Sequence, residues 1–101
     1  MYIYNISTKV DLDIVQEWIS WQKLEEIPNT MSTKLFTTHR IFKLLLQEDN
    51  GSETFVIQFS FDLKENYEEY LQKYQNLSRR SAVEKWGDGI VSFITIMEAV
   101  Q

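Results

Sequence analysis

The sequence predicts an α+β fold, a single four-stranded antiparallel sheet with two helices on one face, in the order strand, helix, strand, strand, helix, strand. Three observations predict it. Asn50-Gly51 joins two alternating apolar runs in the manner of a tight hairpin. An amphipathic helical stretch lies on either side of that hairpin, at residues 14–24 and 67–77. Both chain ends are rich in aromatic and β-branched residues, Tyr2-Ile3-Tyr4-Asn5-Ile6 at one and residues 90–100 at the other.

Residues 2–8 alternate as a first strand. From Asp11 to about Ile27, the residues Ile14, Val15, Trp18, Ile19, Trp21 and Leu24 recur at helical spacing, with Asp11 and Asp13 where a helix N-terminus favours negative charge. Pro28 lacks an N–H and disfavours helical geometry at Ile27, so the helix is predicted to stop or kink there, with one further turn toward Met31. Residues 36–48 and 53–61 form the hairpin, tipped by Asp49-Asn50-Gly51-Ser52. Asn-Gly accepts the positive φ of a type I′ turn, and a two-residue turn there sets Leu46 opposite Phe55, Leu44 opposite Ile57 and Phe42 opposite Phe59. Tyr67, Tyr70, Leu71, Tyr74 and Leu77 trace a second helix. Its pattern slips at Asn76-Leu77-Ser78, where Ser78 is predicted to cap a continuation through Ala82, Val83 and Trp86 that Gly87 ends. Residues 90–100, interrupted only by Ser92, Thr95 and Glu98, read as a strand buried on much of both faces.

No linker or repeat divides residues 1–101, which read as a single domain on the ferredoxin-like βαββαβ plan. Right-handed crossovers put strands one and three in the centre and strands two and four at the edges. The helices are expected to cover Phe42, Leu44, Leu46, Phe55, Ile57 and Phe59. The opposite face then carries Ile41, Leu45 and Val56 among Lys43, Gln58 and Ser60, a patch apolar enough to mark an interface. A second copy about a two-fold axis is the simplest cover, so Ile41, Leu45 and Val56 are the candidate homodimer interface.

A net charge of −5 without a Lys/Arg block disfavours nucleic acid and anionic membrane as partners. No stretch approaches the length of a bilayer span, and no basic segment leads into an apolar one at the N-terminus. Cysteine is absent, which excludes disulfides and thiolate sites and suits a cytoplasmic location. The acidic pairs, such as Glu25-Glu26 and Glu68-Glu69, lie on helices and do not converge, so no metal site is expected.

Two sheets packed face to face would enclose a space, and the candidate pocket for a small molecule comprises Tyr4, Asn5, Trp18, Trp21, His39, Lys43 and Gln58. Trp18 and Trp21 lie about 60° apart on a helix and both suit the core or an aromatic wall. His39, the only histidine, is a weak candidate for general acid or base, because no nucleophile elbow, second histidine or Gly-rich phosphate loop accompanies it. No cofactor is expected; haem in particular is disfavoured, since residues 64–86 contain no histidine. The residues therefore favour a homodimeric binding or interaction module over an enzyme. The alternative, by fold analogy alone, is a cofactor-independent monooxygenase.

The opening Tyr2-Ile3-Tyr4-Asn5, Trp18 with Trp21, Ile27-Pro28, the approach to strand two from Thr33 to Phe36, Trp86-Gly87-Asp88 and the segment from Phe93 to Thr95 are a set. Together they resemble, end to end, a bacterial family known as domain of unknown function 4286. The resemblance implies a ferredoxin-like fold of the dimeric α/β-barrel type and carries no established activity.

Overall fold

A computed structural model describes residues 1–45 and 51–101. Four strands, β1 (Tyr2–Asp11), β2 (Thr38–Lys43), β3 (Ser52–Phe61) and β4 (Ile90–Glu98), form one antiparallel sheet in the order β2-β3-β1-β4. Strands one and three are central, as the crossover rule requires. Two helical stretches connect them across one face. Among the described residues, no helix is long and apolar enough to cross a membrane.

The first stretch runs from a 3-10 turn (Leu12–Ile14) through α1 (Val15–Trp21), a π-turn (Gln22–Glu26) and α2 (Ile27–Ser32). The expected further turn toward Met31 is present as α2, but the chain does not leave helical geometry at Pro28 to reach it. The wider π-turn immediately before it explains why: the Ile27 N–H reaches back five residues to the Gln22 carbonyl, and Pro28 falls in the first turn of the next segment, where its missing donor costs little. Thr33 Oγ1 donates to the Thr30 carbonyl at 2.7 Å, and Lys34 at φ 65° turns the chain so that Leu35 and Phe36 enter the core. The second stretch has the same construction: α3 (Lys64–Tyr70), a π-turn (Leu71–Gln75) and α4 (Asn76–Trp86), ended by Gly87 at φ 56°. Ser78 does not cap a new helix there. Its hydroxyl crosses to the first stretch and donates to Glu26 Oε1.

The hairpin register differs from the one a two-residue turn would set. His39 lies opposite Phe59, Ile41 opposite Ile57, Phe42 opposite Val56 and Lys43 opposite Phe55, so Phe42 sits three residues along β3 from its expected partner. Leu46 and the tip through Asn50 lie outside the described residues. An odd displacement exchanges the two faces of a strand. Ile41, Lys43 and His39 are therefore on the helix side, and Phe42 is on the open side. Leu45 lies past the end of β2 and is 85% exposed. Val56, Gln58 and Ser60 are on the open face as expected.

The core is aromatic. Tyr4 has its ring centroid 5.3–6.4 Å from those of Phe36, Phe59, Tyr67 and Tyr70, and Trp18 packs 5.3 Å from Phe55. Such ring pairs add about 0.5–1.5 kcal/mol each beyond the area they bury. β4 is not buried on both faces: Val91, Phe93 and Met97 on its open side are exposed, because in the single chain nothing covers that side of the sheet.

Candidate functional site

Between the sheet and the two helical stretches lies a cavity of about 340 Å³. Its floor is the helix-facing row of the central strands and β4, with Tyr4, Ile6, Thr8, Ile57, Ile90 and Ile94. Its roof is Trp18, Trp21, Gln22 and Glu26 from the first stretch and Gln75, Ser78, Arg79 and Ala82 from the second. Both π-turns contribute to this roof, Gln22 and Glu26 from one and Gln75 from the other, and both glutamines are buried. A π-turn widens the helix by one residue per turn and redirects the side chains that follow, which is why such turns gather at functional sites.

The polar lining is only partly satisfied. Thr8 and Ser92 hydroxyls share a hydrogen bond of 2.8 Å. Trp18 Nε1 and Gln75 Oε1 are buried without a hydrogen-bond partner, and an unmade hydrogen bond in a closed interior costs about 1–3 kcal/mol. Burial pushes the Tyr4 hydroxyl far above the ordinary phenol range, reinforced by Tyr70 and Tyr67 and only partly offset by Arg79. Tyr4 is thus a neutral phenol at any ordinary pH. Tyr70 is raised too, chiefly by burial.

Burial also lifts the Glu26 carboxyl above the usual carboxylate range, while the Ser78 hydrogen bond pulls it down and Glu25 adds to the rise. The folded chain therefore holds this proton more tightly than the unfolded chain. The stability that Glu26 contributes is complete below its ordinary value and is lost as pH rises through its raised one. Glu26→Gln keeps an acceptor for Ser78, so its thermal midpoint should exceed the parent's at pH 7, with the gap closing below about pH 4. A variant less stable than the parent at pH 7 would mean that the ionised carboxylate is needed.

The structure brings together Tyr4, Trp18 and Trp21 of the residues expected to line a pocket, but beneath the helices. Asn5 and Gln58 point to the opposite face, where Gln58 Nε2 donates to Asn5 Oδ1 at 3.1 Å and Asn5 Nδ2 donates to Thr95 Oγ1 at 3.2 Å. Ser60 shares hydrogen bonds there with Thr37 and Thr38. His39 and Lys43 stand exposed on the edge strand away from the cavity, Lys43 paired with Glu53 at 3.2 Å. Glu26, Gln75, Ser78 and Arg79 were missed. One signal was available: Trp18, Gln22, Glu26 and Thr30 recur four apart, a polar continuation of an apolar stripe.

Solved structures of the same fold span nearly the whole chain. A dimeric ferredoxin-like protein from an uncultured marine organism is 12% identical with a TM-score of 0.71, covering 100% of this chain and 96% of its own. An ethyl tert-butyl ether d (EthD) family protein from Bacillus halodurans is 12% identical with a TM-score of 0.68, covering 99% of this chain and 100% of its own. A variant of SnoaB, a cofactor-independent oxygenase from Streptomyces nogalater, is 12% identical with a TM-score of 0.63, covering 99% and 94%. No curated protein matches the chain. Residues 1–100 match the model of one family from end to end, and the chain belongs to that family, described as Domain of unknown function (DUF4286).

Proposed function

We propose that this chain acts as a homodimeric binding module, in which two copies pack their open sheet faces together and the cavity beneath each helical layer takes a small molecule. The observation that carries the reading is the uncovered face. Phe42, Val91, Phe93 and Met97 crowd it around the satisfied Asn5 network. These four are among the large apolar side chains that the described chain leaves exposed, and a standard interface covers roughly 800 Å² on each partner. The structural likeness to a dimeric ferredoxin-like protein supports the same assembly. Val56 belongs to this proposed interface; Ile41, turned toward the helices, does not.

Sedimentation equilibrium tests it. The expected result is a mass twice that of the chain at low micromolar concentration. A monomer at several hundred micromolar overturns the assembly.

A second reading, an oxygenase working without a cofactor, draws on the likeness to SnoaB and on one observation, the half-buried Glu26 carboxyl in the cavity roof, placed to take a proton from a bound molecule. Within it His39 has no part, since it stands outside the cavity. Glu26→Gln would then abolish turnover while leaving binding intact.

A further inference from the structure

We infer that the cavity beneath the helices takes an amphipathic anion, its apolar body lodged between helices and sheet and its one carboxylate held at the β4 end by Arg79. The inference rests on the reading of this cavity as a small-molecule site and goes further by giving the guest's charge and the end that holds it. Of the described residues that line the cavity, all but Arg79, Ser92 and Phe93 are buried or half-buried. Those exposed residues come from α4 and from β4, an edge strand of the sheet. The space therefore opens to solvent between α4 and the β4 edge, and Arg79 stands at that mouth.

Arg79 is the one cation among the described residues of the lining. Among the described residues, no carboxylate lies within ion-pair distance of it and no hydrogen bond holds its guanidinium. Its charge is nonetheless felt at the Tyr4 hydroxyl beneath the helices, which places it within reach of the interior. The one acid of the lining, Glu26, accepts from Ser78 instead, and burial disfavours the ionised form that would repel an anion. A guanidinium presents a fork of N–H donors that fits a carboxylate with two bonds. One unpaired cation matches one negative charge, whereas a phosphate dianion would bring a second with nothing to meet it. Behind the mouth, Ile6, Trp21, Ala82, Ile90 and Ile94 offer an apolar body shelter from water, while a head at the opening stays hydrated and escapes the cost of burial. At about 340 Å³ the space stands at the small end of ligand pockets, so the guest is a small acid.

Octanoate, octanamide and octylammonium share one chain and differ in charge, and each is titrated into the native chain by isothermal titration calorimetry at neutral pH. Octanoate should bind saturably, octanamide at least roughly tenfold more weakly, the ordinary effect of losing a charge-assisted hydrogen bond, and octylammonium most weakly. Arg79→Gln should bring octanoate down to the level of octanamide while leaving the amide's affinity unchanged. Arg80→Gln removes the neighbouring exposed arginine, which does not line the cavity, and should leave the preference intact. Ala82→Trp, which narrows the space behind the mouth, should weaken every probe. Octanamide or octylammonium binding the native chain as tightly as octanoate, a preference that survives Arg79→Gln, or an equal loss in Arg80→Gln each overturns the anion held by Arg79 and leaves the cavity standing as a site. No saturable binding of any probe, or binding that Ala82→Trp does not alter, removes the site itself and the reading beneath it. Arg79 is exposed, so its variant leaves the core undisturbed and decides even where Ala82→Trp fails to fold.

Discussion

The Phe93→Asp variant should sediment as a monomer at concentrations where the proposed dimer of the parent chain forms. Phe93 is 68% exposed in the single chain, opposite Ser7 on the uncovered face of β4. Its ring lies outside the core, so the substitution should leave the protomer folded and act chiefly on association. Burying such a ring contributes roughly 1.5–3 kcal/mol, and a two-fold axis counts the loss twice. The expected weakening is roughly 10²- to 10⁴-fold, before the cost of an uncompensated carboxylate in the interface is added. Leu24→Asp is the control. Leu24 is more exposed still, but it lies on the helical layer, and its loss should not change the mass. If both variants remain dimers, the copies meet through some other surface.

Trp18→Ala should cost about 3–5 kcal/mol, the range for deleting a fully buried aromatic ring. Trp18 has no exposed surface and packs against Phe55 while roofing the cavity. In a domain whose whole stability is about 5–15 kcal/mol, that loss lowers the thermal midpoint by roughly 12 °C or more, or leaves the chain unfolded at 25 °C. Trp18→Phe distinguishes packing from hydrogen bonding. It keeps a ring and deletes an indole N–H that has no partner, so its cost should be well under half that of the alanine variant. A loss below about 1 kcal/mol for Trp18→Ala would show the cavity to be slack enough to absorb the ring's absence. Urea denaturation of the three proteins measures each.

The order of elements and the strand order were legible because they depend on periodicity and handedness, which Trp18, Trp21, Tyr67, Tyr70 and the β-branched ends display directly. The register of β2 was not. Two assumptions failed there: that Asn50-Gly51 alone sets the turn, and that the greasier side of the hairpin faces the helices. The helix side of β2 carries His39, Ile41 and Lys43, whereas Phe42 is turned to the open face. Counting apolar residues cannot choose between two faces when both carry large ones, Phe55, Ile57 and Phe59 on the helix side and Phe42, Phe93 and Met97 on the open side. The cavity lining was legible in part. Trp18, Trp21 and Tyr4 announced themselves by size, and Gln22 follows Trp18 by one regular turn, but Gln75 faces inward five residues past buried Tyr70 because of the π-turn between them, which no residue type signals.

The two π-turns give chain length a meaning in the helices that composition does not convey. Each π-turn fits five residues into nearly the rotation that four cover in an α-helix, so removing one residue from Gln22–Glu26 would let the backbone rewind to regular α-helix with everything downstream aimed almost as it is now. Ile27 and Thr30, now buried, would stay against the sheet, whereas a residue removed from the regular helix of α1 would swing them away by about 100°. The π-turn is thus the place where this helix can shed a residue, and a one-residue gap there should be far less disruptive than one in α1 or α2.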